Sequence, residues 1–94
     1  MKFEWHVEKA KINIAKHKVS FDEAATVFDD VLAHIFNDEW NSFGEHRELI
    51  IGISKNKRLL IVSFTEKTDG MIRIISSRLA TSKERKDYEQ YRRH

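Results

Sequence analysis

Three strand-like segments follow one another in the second half of the chain, separated by short polar links. They are rich in aliphatic and β-branched residues, as strands are, and they read RELIIGIS (47–54), RLLIVSF (58–64) and MIRIISSR (71–78). Residues 55–57 link the first two segments. Asp69-Gly70 lies between the last two and is a strong hairpin signal, because both central residues of a tight turn favour positive φ. The pattern predicts a sheet with an antiparallel hairpin in it.

The Asp69-Gly70 turn also predicts which residues face each other across this hairpin. A loop of two residues gives the cross-strand pairs Glu66–Arg73, Phe64–Ile75 and Val62–Ser77. One face of the sheet then carries Leu60, Val62, Phe64 and Ile75. In this register Arg73 and Arg78 lie on opposite faces, unless a bulge intervenes.

Two helices are predicted before these strands. The first carries one face of residues at helical spacing, namely Val7, Ala10, Ile14 and His17. The second begins with a capping box, in which the Ser20 hydroxyl accepts from the Glu23 amide and the Glu23 side chain reaches back. The inward side of the second helix carries Phe21, Ala24, Ala25 and Phe28.

A third helix is predicted after the strands. Thr81 and Glu84 form a second capping box at its start. Its apolar stripe consists of Tyr88 and Tyr91 alone, so this helix either packs lightly or contacts a partner. FEWH (3–6) and VLAHIF (31–36) are interpreted as further short strands. The chain is therefore predicted to be one domain, residues 1–94, as its length favours.

Composition excludes several classes of protein. Cysteine is absent, so the fold uses no disulfide or thiolate metal site, and a reducing cytosol is allowed. No apolar run approaches the roughly 20 residues that span a bilayer, and the charged opening MKFEWHVEKA is unlike a signal peptide. Residues 1–20 carry a net charge of +3, residues 21–50 carry −7 and residues 51–94 carry +6. The basic blocks make either a patch for phosphates or an ordinary solvated surface.

Two arginines within the last strand are candidate functional residues, because arginine is costly to bury. Arg78 either binds a phosphate through two hydrogen bonds or forms a salt bridge with Glu84 or Asp87. Arg73 either pairs with Glu66 as a structural contact or holds Glu66 charged as a proton acceptor. The residues alone leave both alternatives open.

Two pairs of neighbouring basic residues are further candidates. His17 either packs within its helix stripe or serves as a general acid–base group, since imidazole titrates near neutrality. Lys16 beside it can meet a phosphate. Arg47, next to His46, is either a solvent contact at a loop edge or a second clamp for phosphate.

A metal or cofactor site is not predicted. The loosely spaced residues that come nearest to a ligand set are His34, Asp38, Glu45 and His46, and they match no known metal-ligand pattern. Phosphate loops and glycine-rich nucleotide fingerprints are absent from the sequence. Trp5 and Phe43 either stack on bases or belong to the core, and Trp40 is a further candidate for base stacking.

Three stretches carry a family resemblance over nearly the whole chain. They are FEWH…EKAKINIAKHKVSFDEAATVF, GEHRELIIGIS and FTEKTDGMIRIISSRLATSKERKDYE. The order of KH-x-VSF-x-EA, G-x-x-R and RIIS-x-R-x-A-T-x-x-E-R-x-x-Y resembles the BrnT family, ribonuclease toxins of a bacterial type II toxin–antitoxin system. The chain departs from the family pattern at two positions. His6 replaces the acid of FEWD, and Lys18 replaces the glycine of KHGVSF.

The resemblance implies an α+β, RelE-like fold, with two N-terminal helices and one C-terminal helix on an antiparallel sheet. It implies a cytoplasmic, metal-independent endoribonuclease that inhibits translation and needs no cofactor. It also implies a BrnA-like antitoxin, with operator DNA bound only through the toxin–antitoxin complex. We assign catalysis to Arg78, Arg73, Glu66 and His17. We assign RNA binding to Lys16, Arg58, Arg47 and Arg85.

Two alternatives to an active nuclease remain open at this point. One is a protein that binds nucleic acid through the same basic surface, with a steep salt dependence and no cleavage. The other is an antitoxin-docking domain whose active site has degenerated.

Overall fold

The computed structural model describes residues 1–39 and 44–92; Trp40 and Phe43 lie outside these ranges. Two helices precede most of the sheet and one follows it, as predicted. In chain order the elements are β1 (Lys2–Glu4), α1 (Val7–His17), α2 (Phe21–Thr26), β2 (His34–Asn37), β3 (Glu48–Ile53), β4 (Leu59–Glu66), β5 (Met71–Leu79) and α3 (Ser82–Arg92). A short 3₁₀ turn extends α2 over Val27–Asp29.

The strands form one sheet in the order β1-β5-β4-β3-β2. β2, β3, β4 and β5 pair antiparallel in succession, whereas β1 pairs parallel with the start of β5. The sheet is therefore mixed, where an all-antiparallel sheet was predicted. The α+β class is confirmed.

The loop between β4 and β5 is one residue longer than predicted. The Lys67 amide donates to the Met71 carbonyl at 2.7 Å, which leaves three residues, 68–70, in the loop. Asp69 and Gly70 do adopt positive φ, at 64° and 73°. Glu66 consequently pairs with Ile72, so the predicted Glu66–Arg73 pair is wrong.

A β-bulge then restores the predicted register farther from the turn. The pairing passes from Phe64–Ile74 to Ser63–Ser76, so Ile75 has no partner across the strand pair. Val62 faces Ser77 as predicted. Because a bulge shifts the alternation of side chains by one residue, Ile75 leaves the core face that was predicted for it.

The bulge also changes the relation between the two arginines of β5. Arg73 pairs with Thr65 and Arg78 pairs with Ile61, and these partners are four residues apart on β4. Residues an even number apart on a strand share a face. Arg73 and Arg78 therefore lie on the same face of the sheet, as sequence reasoning allowed only for a bulged strand.

The main core fills the space between the sheet and the pair α1–α2. Burying these aliphatic and aromatic side chains provides most of the driving force for folding. The fully packed members are Val19, Phe21, Ala24, Val27, Ile50, Leu60, Val62, Phe64, Ile72 and Ile74.

α1 presents a different face to the sheet than predicted. Val7 and Ile14 are 62% and 48% exposed, whereas Asn13 is buried. The Asn13 amide nitrogen donates to the carbonyls of Ser77 and Val19, both at 2.9 Å, and its oxygen accepts from the Ser77 amide at 3.1 Å. Asn13 thus satisfies the main chain of β5 beyond the end of β1, and a buried polar side chain with such partners is stable.

α3 packs on the opposite face of the sheet. Tyr88 is buried against Ile51, Leu59 and Ile61. The Tyr88 hydroxyl donates to Asp30 Oδ2 at 2.8 Å, which ties the helix to the segment after α2. Among residues 1–39 and 44–92, α3 covers only part of this face, and the neighbouring part of β3, β4 and β5 borders a cavity.

Candidate active site

A cavity of about 420 Å³ lies on the open part of the sheet, beside α3. Its floor is formed by side chains of the three central strands, and its rim combines cationic, acidic and hydroxyl groups. The lining residues are His17, Asp38, Arg47, Leu49, Ile61, Ser63, Ile75, Ser76, Ser77 and Arg78. The cavity therefore brings together three of the predicted site residues, His17, Arg47 and Arg78, from distant parts of the chain.

His17 reaches the cavity because α1 runs beside the edge of β5. It is the last residue of α1 and lies four residues after Asn13, about one helical turn. The Asn13 hydrogen bonds to Ser77 fix the position of that turn against the strand. His17 is half-buried and lines the cavity with Ser76.

Arg78 forms a salt bridge with Glu84, one of the two partners suggested by the sequence, and it also lines the cavity. Its Nη1 and Nη2 donate to the two Glu84 carboxylate oxygens at 2.8 and 3.0 Å. Its side chain is nevertheless 42% exposed. The two alternatives for Arg78 are therefore compatible, because the carboxylate orients a guanidinium that still faces the cavity.

Glu84 binds Arg78 from the first turn of α3. The predicted capping box is complete, since Glu84 Oε1 accepts from the Thr81 amide at 2.8 Å and Thr81 Oγ1 accepts from the Glu84 amide at 3.2 Å. Arg78, followed by the Thr81 amide, lowers the pKa of Glu84 to about 2 against the cost of burial. The same ion pair raises the pKa of Arg78.

Asp38 and Arg47 enter the cavity from the β2–β3 pair. The Asp38 amide donates to the Arg47 carbonyl at 3.0 Å, which continues the ladder beyond its last pair, Asn37–Glu48. Asp38 is buried, and Arg47 Nε lies 3.5 Å from Glu45 Oε1. The sequence marks Asp38 only as a poor candidate metal ligand. The register of the two strands, which places Asp38 opposite Arg47, is the signal that would have found it.

Arg73 and Glu66 lie outside the cavity. Arg73 Nε donates to Glu4 Oε2 at 2.6 Å, and the two residues border a separate pocket with Trp5 and His6. Glu66 is exposed at the end of β4. The proposed interplay of Arg73 with Glu66 is replaced by a contact between β5 and the parallel strand β1.

Arg58 links α2 to the turn between β3 and β4. Its Nε donates to Glu23 Oε2 at 2.9 Å, its Nη2 donates to Glu23 Oε1, and its Nη2 also donates to the Lys18 carbonyl at 3.0 Å. Ser54 Oγ donates to the same carboxylate at 2.7 Å. The Arg58 hydrogen bond is the main cause that lowers the pKa of Glu23 to about 2. Arg58 thus has a structural partner and does not line the cavity.

The capping box predicted at the start of α2 is only half formed. The Ser20 hydroxyl accepts from the Glu23 amide at 3.0 Å, as predicted. The Glu23 carboxylate, predicted to reach back toward Ser20, instead binds Arg58 and Ser54. A charged partner and a hydroxyl in a buried setting favour this arrangement over an N-terminal amide.

The other two predicted RNA-binding residues are on the surface. Lys16 is exposed on α1 next to His17, and Arg85 is exposed on α3. In residues 1–39 and 44–92, histidines and acidic residues form no group of three able to hold a metal ion. None of the helices in this part of the chain is long and apolar enough to span a membrane.

Comparisons with known proteins agree with this architecture. The family model described as the ribonuclease toxin BrnT of type II toxin–antitoxin systems matches residues 5–84. The chain is also similar to the crystal structure of the ribonuclease toxin BrnT from Brucella abortus, with 25% sequence identity and a TM-score of 0.67, over 87% of this chain and 99% of that one. No curated protein shows significant sequence similarity. Since the family model spans most of its length, the chain belongs to the BrnT family of ribonuclease toxins of type II toxin–antitoxin systems.

Proposed function

We propose that this BrnT-family ribonuclease cleaves RNA in the cavity between α1, the sheet and α3, without a metal ion. One observation carries the proposal. Two arginines, one imidazole and one carboxylate, Arg47, Arg78, His17 and Asp38, line the same cavity. These are the groups that phosphodiester cleavage by general acid–base catalysis requires.

In the proposed reaction, the ribose 2′-hydroxyl attacks the adjacent phosphorus and the bond from phosphorus to the 5′-oxygen breaks. His17 takes part in proton transfer, and Asp38 is the second group in the cavity able to carry a proton. The 2′-oxygen loses its proton and the leaving 5′-oxygen gains one. Arg47 and Arg78 stabilise the negative charge that builds up on the phosphoryl oxygens.

Arg78 is well placed for this task because Glu84 holds it. Within the part of the chain that the structure describes, Arg78 uses Nη1 and Nη2 for Glu84 and Leu79. Its Nε–H makes none of these contacts, and we propose that it donates to a phosphoryl oxygen. Preorganised donors of this kind need no rearrangement during the reaction, which makes them effective.

We give a secondary role, outside the chemistry, to three further basic residues: Arg73, Lys16 and Arg85. Arg73 lies on the same sheet face as Arg78 but outside the cavity, and the other two are exposed on helices. We assign them to attraction of the RNA backbone at longer range. Glu66 and Arg58 receive no part in the chemistry, since neither lines the cavity.

The test compares two arginines of β5. A purified protein is incubated with a defined RNA in EDTA, and cleavage is followed by gel and by sequencing of the new ends. Arg78→Ala should lower the cleavage rate about 10²–10³-fold, as loss of one preorganised donor does. Arg73→Ala is the matched control and should retain most of the activity.

Two results would contradict the proposal. If folded Arg78→Ala still cleaves at the native rate while Arg73→Ala does not, the reaction takes place near Glu4 and Trp5 instead. If the native protein binds RNA in EDTA but never cuts it, and added divalent cations do not change this, the chain is a non-catalytic binder.

Membership in the family implies an antitoxin partner and an RNA substrate. We further propose that the antitoxin is BrnA-like and blocks RNA by covering the cavity with acidic residues or an inserted helix. Operator DNA is bound only through that complex, and the toxin acts in the cytoplasm. Footprinting of the complex by hydrogen exchange would test this: protection of β5 and the end of α1 is expected, and protection confined to β1 would contradict it.

A further inference from the structure

A second, smaller cleft adjoins the active-site cavity and is lined by aromatic rings. It has a volume of about 280 Å³, near the lower end of the range for small-ligand pockets. Its lining includes His34 and Phe36 of β2 and Tyr91 of α3. The His34 ring stacks on Tyr91 at a centroid distance of 4.1 Å and 14°, and lies 6.1 Å from Phe36 at 28°. We call this site the aromatic cleft.

The aromatic cleft lies beside the active-site cavity. Ile61 lines both. Arg78, which lines the cavity, is bound to Glu84, which lines the cleft. An RNA chain that occupied both sites would lie close to the Arg78–Glu84 pair.

The cleft presents flat rings to solvent. Tyr91 is 55% exposed although one face of its ring is covered by His34, so its exposure falls on its other face and its edge. Phe36 is 39% exposed. Tyr91 stacks on His34 at the edge of the sheet, whereas Tyr88 is buried in the apolar cluster beneath α3.

The charged residues at the cleft are acidic and can accept hydrogen bonds from a ligand. Glu84 and Asp87 line it beside the rings, with the same spacing along α3 that brings Tyr88 and Tyr91 to one side. Carboxylates repel a phosphate but accept hydrogen bonds from exocyclic amino groups of bases. Stacked rings with acidic acceptors suit a nucleobase, next to a cavity whose cations suit its phosphate.

We propose that the aromatic cleft binds a nucleobase flanking the scissile phosphate, stacked on the ring face of Tyr91 that His34 leaves free, and that Asp87 selects a base with an exocyclic amino group. The inference rests on the proposed RNA cleavage in the adjoining cavity. It gives α3 a direct part in the choice of cleavage site.

The test uses a short single-stranded RNA that cannot be cut, because its 2′-hydroxyls are replaced by 2′-fluoro groups. One base at a time is replaced by 2-aminopurine, whose fluorescence falls when it stacks. The native protein should quench one position near the cleavage site. Tyr91→Ala should bind about tenfold more weakly and lose this quenching, since stacking on one aromatic side chain changes affinity about 5- to 150-fold.

Two controls separate stacking from other effects. Tyr91→Phe keeps the ring and should retain both affinity and quenching. Ile12→Ala removes a side chain that is 60% exposed on α1, away from the cleft, and should bind as the native protein does. Mapping the cut ends of a random RNA pool should show a base preference, which Asp87→Asn lowers at least about fivefold.

The outcomes distinguish this inference from the proposed function. If the native protein cuts RNA in EDTA but Tyr91→Ala leaves quenching and base preference unchanged, the nuclease stands and the cleft assignment is wrong. If Tyr91→Ala weakens only antitoxin binding, the cleft serves the protein partner and the inference is likewise overturned. If RNA is neither bound nor cut by the folded native protein, both fail.

Discussion

His6 and Lys18 stand at the two ends of α1, and each leaves a helix end without its best residue. His6 is the N-cap, with φ −84° and ψ 124°, and its side chain makes no capping hydrogen bond. Lys18 is the C-cap and adopts the left-handed conformation at φ 60°, which favours glycine. These are the two positions at which the chain departs from the BrnT pattern. Neither lines the active-site cavity, so the departures bear on stability and leave the proposed site intact.

We therefore expect that the family residues stabilise the protein at both positions. His6→Asp supplies a side-chain acceptor for the first amides of α1, and Lys18→Gly removes the steric cost of the left-handed residue. Each should raise the free energy of unfolding by about 1 kcal/mol, or the Tm by about 4–8 °C. Thermal unfolding of the single and double variants measures this, with an additive double variant expected. No gain for Lys18→Gly would contradict this expectation and would mean that the entropy glycine adds to the unfolded chain offsets the relief of the left-handed residue.

At the scale of elements, the helices and strands follow from local sequence, whereas the register of β5 does not. The predicted segments match four of the five observed strands to within a residue or two at each end, whereas β2 begins three residues later than the predicted VLAHIF segment. The three-residue turn and the bulge at Ile75 are two opposite one-residue shifts that cancel at Val62–Ser77. β5 is apolar on both faces near Ile74. The sequence pattern therefore cannot distinguish a strand pair with two compensating register shifts from a strand pair with no shift.

The contact between α2 and the β3–β4 turn makes stability depend on pH. Arg58 holds the folded-state pKa of Glu23 at about 2, below the unfolded value of 4.5. Because the folded-state pKa is lowered, the stabilisation is fully present above pH 4.5 and is lost as pH falls toward 2. Glu23 is almost fully buried, so the free energy of unfolding should fall by on the order of 3 kcal/mol as pH drops through this range.

Urea unfolding at pH 7, 4.5 and 2.5 tests this expectation. Glu23→Gln should be less stable at pH 7 and should lose much of the acid dependence, with the remainder coming in part from Glu84. Glu89→Gln, at an exposed position of α3, is the matched control and should follow the native curve. If the stability of Glu23→Gln fell with pH as steeply as that of the native protein, the ion pair would make no net contribution to stability.

At the scale of the whole molecule, the acidic residues of segment 21–50 do not act together but take part in separate contacts of the folded protein. The acidic segment contributes Glu23 to Arg58, Asp30 to Tyr88 and Asp38 to the cavity. The candidate site was only partly predictable for the same reason. Residue type pointed to His17 and Arg78, but the partners of Arg58 and Arg73 are set by tertiary contacts that no spacing in the chain encodes.

The salt dependence of RNA binding should report how many cations contact phosphates. Two phosphate contacts, through Arg47 and Arg78, predict a slope of about −1.4 for log K against log salt, since single strands give about −0.7 per contact. Fluorescence anisotropy with uncleavable RNA measures this. Arg78→Ala should bring the slope about 0.7 closer to zero, while Arg85→Ala on the exposed side of α3 should change it less. Equal changes would place the RNA over α3 as much as over the cavity.

The shortness of β1 has a consequence for how such a chain tolerates insertions and deletions. β1 pairs with β5 only through Lys2–Met71, Phe3–Ile72 and Glu4–Arg73, and Asn13 takes over the hydrogen bonding of the strand at Ser77. A longer first strand would continue along that edge and displace the end of α1, and with it His17. We expect the spacing between β1 and α1 to be intolerant of change, although both elements lie at the periphery of the sheet. The length of β1 therefore determines whether the end of α1, with His17, can lie beside β5 at the cavity.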